Sequence, residues 1–64
     1  MTKIFNTKHG EVTVRTAMLD TDGTSLEEGI ELKGDEIGLI EVYGYHDIEE
    51  MTEEDVEMII SDLL

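Results

Sequence analysis

The side chains of this chain that can do chemistry are mostly carboxylates: seventeen Asp and Glu stand against four Lys and Arg and two His, with no Cys. Paired carboxylates serve as general acid and base or hold a hard divalent cation. Pairing by itself carries no information here, because such pairs recur throughout residues 20–64. Ser25 and Ser61 have no base at a recognisable offset, there is no thiol nucleophile, and no Gly-rich phosphate loop occurs. A chain of 64 residues also has little room for a deep pocket. The expectation is a protein that is not an enzyme and carries no cofactor.

Two segments come closest to a metal site. Asp20-Thr21-Asp22-Gly23, followed by Glu27 and Glu28, has the residue types of a Ca²⁺ loop. The EF-hand pattern needs Asp at its first position and Glu at its twelfth, with Gly at the sixth. Placing Gly23 at the sixth puts Met18 first and Gly29 twelfth, so both ends fail. The segment reads as a turn, since Asp bonds its own backbone and Gly is conformationally permissive. His46-Asp47 with Glu49 and Glu50 offers ligands for Zn²⁺ or another divalent ion. No second His lies at ligand spacing, and His9 sits in a distant loop. No metal ligand is assigned, and a divalent-cation binder is kept as a second alternative function.

The strongest signal is where the acid lies. Residues 1–19 carry Lys3, Lys8 and Arg15 against Glu11 alone, whereas residues 20–64 carry Lys33 against the other sixteen carboxylates. The formal net charge is −13. Such a body repels nucleic acid and anionic membranes and attracts basic surfaces. The acid is densest at Glu49, Glu50, Glu53, Glu54, Asp55 and Glu57. Carboxylates at a helix N-terminus favour the macrodipole by about 0.3–1 kcal/mol each, which accounts for the first few. Glu57 and Asp62 fall outside that explanation. The i,i+4 pairs Glu49/Glu53, Glu50/Glu54 and Glu53/Glu57 repel, and no Lys or Arg follows Lys33 to offset them. Helical carboxylates one turn apart repeat about every 5–6 Å, comparable to phosphates along a strand. A groove lined with Lys and Arg for nucleic acid would accept them.

The functional expectation is therefore a non-catalytic acidic binding protein. It docks Glu49, Glu50, Glu53, Glu54 and Glu57 on a basic, nucleic-acid-binding protein and inhibits or modulates it. Nucleic-acid mimics of phages and mobile elements act in this way, by analogy. The alternative is a structural or accessory subunit that forms a homodimer or a hetero-oligomer through an apolar sheet or helix face, the acid serving only solubility. In that case Tyr43 or Ile40 matters more than the glutamates.

These residues must be positioned by a small fold. Thr2 to Asn6 reads as a short strand, and Thr7-Lys8-His9-Gly10 as a turn. Glu11 to Leu19 alternates, with Val12, Val14 and Met18 on one face and Thr13 and Arg15 on the other, which argues for a strand and a hairpin. Ser25 to Lys33 is ambiguous. Ser25 and Glu28 have capping-box spacing, but Gly29 interrupts and Ile30 and Leu32 alternate with Glu31 and Lys33. The strand reading outweighs the short helix. Glu36 to His46 has Ile37, Leu39, Ile40, Val42, Tyr43 and Tyr45, apolar on both faces, and reads as a strand covered on both sides. Asp47 to Leu64 reads as a helix with Thr52 as N-cap, Asp55 in the box position and Met51 and Val56 as a hydrophobic staple. Val56, Ile59, Ile60 and Leu63 form its inward stripe, with Glu50, Glu53, Glu54 and Glu57 outward.

The expected fold is α+β, one small domain spanning residues 1–64, in which a mostly antiparallel sheet of three to four strands packs on one C-terminal helix. With no Cys, Trp or Pro, the core must come from aliphatic residues and Met. A hydrophobic content of 39% and its regular patterning set the chain apart from disordered acidic tails. No apolar run approaches the roughly 20 residues of a membrane span, and the N-terminus has no apolar signal region. A cytoplasmic location is expected.

Overall fold

A computed structural model describes residues 1–20, 23, 25–45 and 47–63; the readings made at Thr21, Asp22, His46 and Leu64 lie outside the described residues. The chain runs β1 (Thr2–Thr7), β2 (Gly10–Asp20), β3 (Leu26–Gly34), β4 (Gly38–Tyr43) and α1 (Glu53–Leu63). The strands form one antiparallel meander in the order β1-β2-β3-β4. The fold is α+β, as the alternation in the first half and the 3.6-residue stripe at the end require.

Register explains the core. Lys3, Val14, Leu32 and Ile40 pair in one row across the sheet, and Thr16, Ile30 and Val42 in the next row. These residues share the face that α1 covers. Phe5, Val12, Val14, Ile30, Leu32, Ile37, Ile48, Met51, Val56 and Ile60 make up the buried cluster. The ambiguous third segment is a strand because Ile30 and Leu32 fall in this core row, a gain the short helix would forgo.

The chain leaves the sheet at β4 and must return to β1, at the opposite edge, where α1 packs. Ile48 and Met51 are buried along this return. The Lys3 ammonium fixes its end, donating to the backbone carbonyls of Glu49 and Met51, both at 3.2 Å. The helix begins at Glu53, later than the expected Asp47, because Thr52 caps it. The Asp55 N–H donates to Thr52 Oγ1 at 3.2 Å, and the Thr52 N–H donates to Asp55 Oδ2 at 2.9 Å. This reciprocal box satisfies two backbone donors and defines the first turn. Met51 and Val56 are both buried, as a staple requires.

Four further features differ from the sequence reading. β4 is shorter than Glu36–His46: Asp35–Ile37 is a turn, and Gly38 and Gly44 take positive φ of 68° and 80°, which bounds the extended backbone. β4 is also not covered on both sides, since the helix layer lies on one face only and leaves Leu39 and Tyr43 exposed on the other. Met18 does not continue the core. It lies 59% exposed, because β1 pairs only as far as Arg15 and the β2–β3 hairpin projects beyond the helix. Its neighbour Leu19 is buried instead, on the opposite face, against Gly29. Lastly, Leu63 is exposed in the final turn, where it has passed the sheet, while Val56 and Ile60 carry the inward stripe and Ile59 lies at its margin.

Candidate partner-binding surface

The acidic residues singled out in the sequence fall into two groups. Glu49 and Glu50 precede the helix, Glu53 and Glu54 open its first turn, and all four are exposed. Their backbone is held from two sides, by the Lys3 bonds to the carbonyls of Glu49 and Met51 and by the Thr52–Asp55 box. These carboxylates therefore project from ordered backbone, with Thr52 fixing the direction of the turn. Asp55 is committed to capping.

Glu57 departs from the outward set. It is half-buried, and its Oε2 accepts the backbone N–H of Lys8 at 2.7 Å. That bond ties the middle of α1 to the β1–β2 turn, which is itself closed by Thr7: its hydroxyl donates to the Gly10 carbonyl at 2.9 Å and accepts the His9 N–H at 3.0 Å. Glu57 is thus a structural tie as well as a charge. Its placement outside the helix-dipole explanation has a physical cause that only the turn's position reveals.

The cations do little to neutralise this surface. Lys3 is spent on backbone carbonyls and on the Phe5 ring, 5.2 Å from its centroid. Arg15 pairs with Glu31 across β2 and β3, and this is the one ion pair among the described residues. Arg15 and Lys33 lie on the open sheet face, away from α1, where they line a shallow depression with Thr13, Glu31 and Leu39. The helix has three acidic residues in its first turn and no basic residue in its last.

In the segment that resembles a Ca²⁺ loop, the Gly23 N–H donates to Asp20 Oδ1 at 2.7 Å in an Asx bond and Gly23 takes a φ of 87°. His46 lies outside the described residues, so the His46-Asp47 grouping is not placed. Among the described residues no three His, Asp or Glu side chains converge as metal ligands. No helix of the described residues is long and apolar enough to cross a membrane.

The apolar sheet face that the sequence offered at Ile40 and Tyr43 lies on the edge strand β4. Beside β4, Ile40, Val42 and Tyr45 are only half-covered although they face the helix layer, while Leu39 and Tyr43 stand exposed on the other face. The apolar content of the segment was visible; its position at a sheet edge was not, because strand order depends on long-range pairing. Comparison of the chain with protein-family models, curated proteins and solved structures finds no match.

Proposed function

We propose that this protein is a non-catalytic acidic binding module. It docks Glu49, Glu50, Glu53 and Glu54 on a basic, nucleic-acid-binding protein and blocks or modulates that partner. One observation carries the reading: these four carboxylates are exposed on ordered backbone, and none forms an ion pair among the described residues. Repulsion among them costs stability in the free protein, and a basic surface relieves it. Glu57 contributes charge at the margin of this surface while holding the β1–β2 turn. The reading implies competition with nucleic acid, because the same Lys and Arg side chains would serve both ligands.

The test is affinity capture with the tagged protein from host lysate at low salt and at about 0.5 M salt, where exposed charges are screened within a few Å. The expected result is a basic nucleic-acid-binding protein retained at low salt and released at high salt. The variant with Glu49, Glu50, Glu53 and Glu54 all changed to Gln loses it while keeping the circular-dichroism spectrum of the parent. Undiminished capture by this variant refutes the reading. The apolar strip at β4 favours a second reading, an accessory subunit with a salt-resistant contact, for which changes at Ile40 or Tyr43 outweigh those at the glutamates.

A further inference from the structure

We infer that the free edge of β4 is a strand-addition site for an extended basic segment of the partner, one that alternates aliphatic residues with Lys or Arg. The inference rests on the proposed basic partner and names how part of it is held.

The first element is backbone. The Gly44 N–H donates to the Glu28 carbonyl at 3.1 Å. Given the continuous antiparallel register, the alternation of bonded and non-bonded pairs assigns Val42 and Ile40 to bonded pairs with Ile30 and Leu32. The N–H and C=O groups of Leu39, Glu41 and Tyr43 then point away from β3, to the open edge. Such a row is a template for another strand. Three common protections are absent from it: β4 has no Lys, no Pro and no bulge in its pairing, and its single charge is Glu41.

The second element is incomplete burial of the inward residues at this edge. At the other edge, Phe5 is buried and α1 packs on β1. At β4 the inward residues Ile40 and Val42 remain half-covered. A fifth strand would lay aliphatic side chains beside them on the helix side. On the open side it would meet Leu39, Glu41 and Tyr43.

The third element is charge, which selects the occupant. Glu41 is exposed at the centre of the edge, Asp35 and Glu36 lie in the turn before it, and Asp47 follows it. A cross-strand Lys or Arg opposite Glu41 is favourable, whereas an acidic residue there is not. A second copy of the chain, itself of net charge −13, is repelled overall, and pairing edge to edge would set acidic residues against acidic ones. The β1 edge has no carboxylate within the strand and is followed by Lys8, so it lacks the charge that draws the segment to β4. Recognition by main-chain bonds with alternate side chains setting specificity is a known mode of strand addition.

The test uses a short synthetic peptide alternating valine and lysine, added to the ¹⁵N-labelled full chain at low salt, with amide hydrogen exchange read residue by residue. The expected result is alternating: the amides of Leu39, Glu41 and Tyr43 gain protection, while those of Ile40 and Val42, already bonded to β3, change little. Glu41→Gln weakens peptide binding by up to about fivefold. The same peptide N-methylated on its bonding edge keeps its charge but loses the protection. Equal binding of the N-methylated peptide, or binding without protection at those amides, overturns strand addition and leaves docking by the helix carboxylates standing. Edge protection that persists when Glu49, Glu50, Glu53 and Glu54 are Gln supports the edge as a site of its own, and protection lost in that variant overturns it. Absence of peptide binding at low salt overturns the inference. Protection that rises with protein concentration and no peptide also overturns it, by identifying a second copy as the occupant.

Discussion

Gly29 is the position where the packing argument is most exposed to refutation. It sits in the middle of β3, paired with Ala17 on one side and Tyr43 on the other. A Cβ built there would lie 2.4 Å from the Val42 carbonyl oxygen, 2.7 Å from Leu19 Cδ1 and 3.3 Å from Tyr43 Cα. Leu19 can swing away; a carbonyl in the β3–β4 ladder cannot without breaking its own bond. If only chain entropy mattered, Gly29→Ala would stabilise by about 0.4–1 kcal/mol through the unfolded state. Overpacking costs about 1–3 kcal/mol, and the closest contact is backbone, so the upper part of that range applies and the net effect is a loss of about 2 kcal/mol. A domain of this length is stable by about 3–10 kcal/mol in all, so the change is large. Urea unfolding followed by circular dichroism reads it directly. With a slope of about 1 kcal/mol/M for a small domain, the midpoint falls by about 2 M. In a Leu19→Ala background Gly29→Ala still lowers the midpoint by about 2 M, because the carbonyl contact remains. A midpoint equal to or above that of the parent refutes the reasoning, and a Gly29→Ala effect that vanishes in the Leu19→Ala background moves the cause from the ladder to the Leu19 side chain.

Two further predictions test neighbouring claims. Leu19→Ala removes a side chain that is 2% exposed and lowers stability by about 2–3 kcal/mol, whereas Met18→Ala, one residue away and exposed, shifts it by about 0.5 kcal/mol or less; equal effects in urea unfolding would contradict the assignment of faces at the hairpin's far end. Glu57→Gln weakens the bond to the Lys8 N–H and costs about 1 kcal/mol, with faster exchange of that amide, while Glu53→Gln leaves the Lys8 amide unchanged. If both variants exchange alike, Glu57 is a surface charge and not a tie.

The acidic surface and the open β4 edge make different demands on a partner. Unpaired carboxylates act at range and are screened by salt, so they govern encounter and salt sensitivity. Main-chain bonds along an edge act at contact and fix orientation. A partner using both would be captured by charge and aligned by the strand. The free protein is stabilised against its own repulsion by ties that neutralise little of it: Lys3 on two carbonyls, Arg15 on Glu31, Glu57 on a backbone N–H.

Local chemistry was legible in the residues. Thr52, Asp55, Met51 and Val56 specify the start of the helix, because a capping box and its staple close within one turn and need nothing from elsewhere in the chain. The alternation of Val12 and Val14 specified a strand for the same reason. The charge imbalance, and the exposure it demands of Glu49, Glu50, Glu53 and Glu54, followed from composition alone. Other outcomes needed the tertiary structure. The strand at Leu26–Gly34 was decided by Ile30 and Leu32 meeting Thr16 and Val14, a pairing that local propensity leaves open. Met18 left its expected core face and Leu19 became buried because β1 ends its pairing at Arg15 and Gly29 opens a seat on the other face. Glu57 became a tie because the return crossing sets α1 against the β1–β2 turn. β4 became an edge because the meander ends there, and strand order is a property of pairings between distant segments that no local pattern encodes.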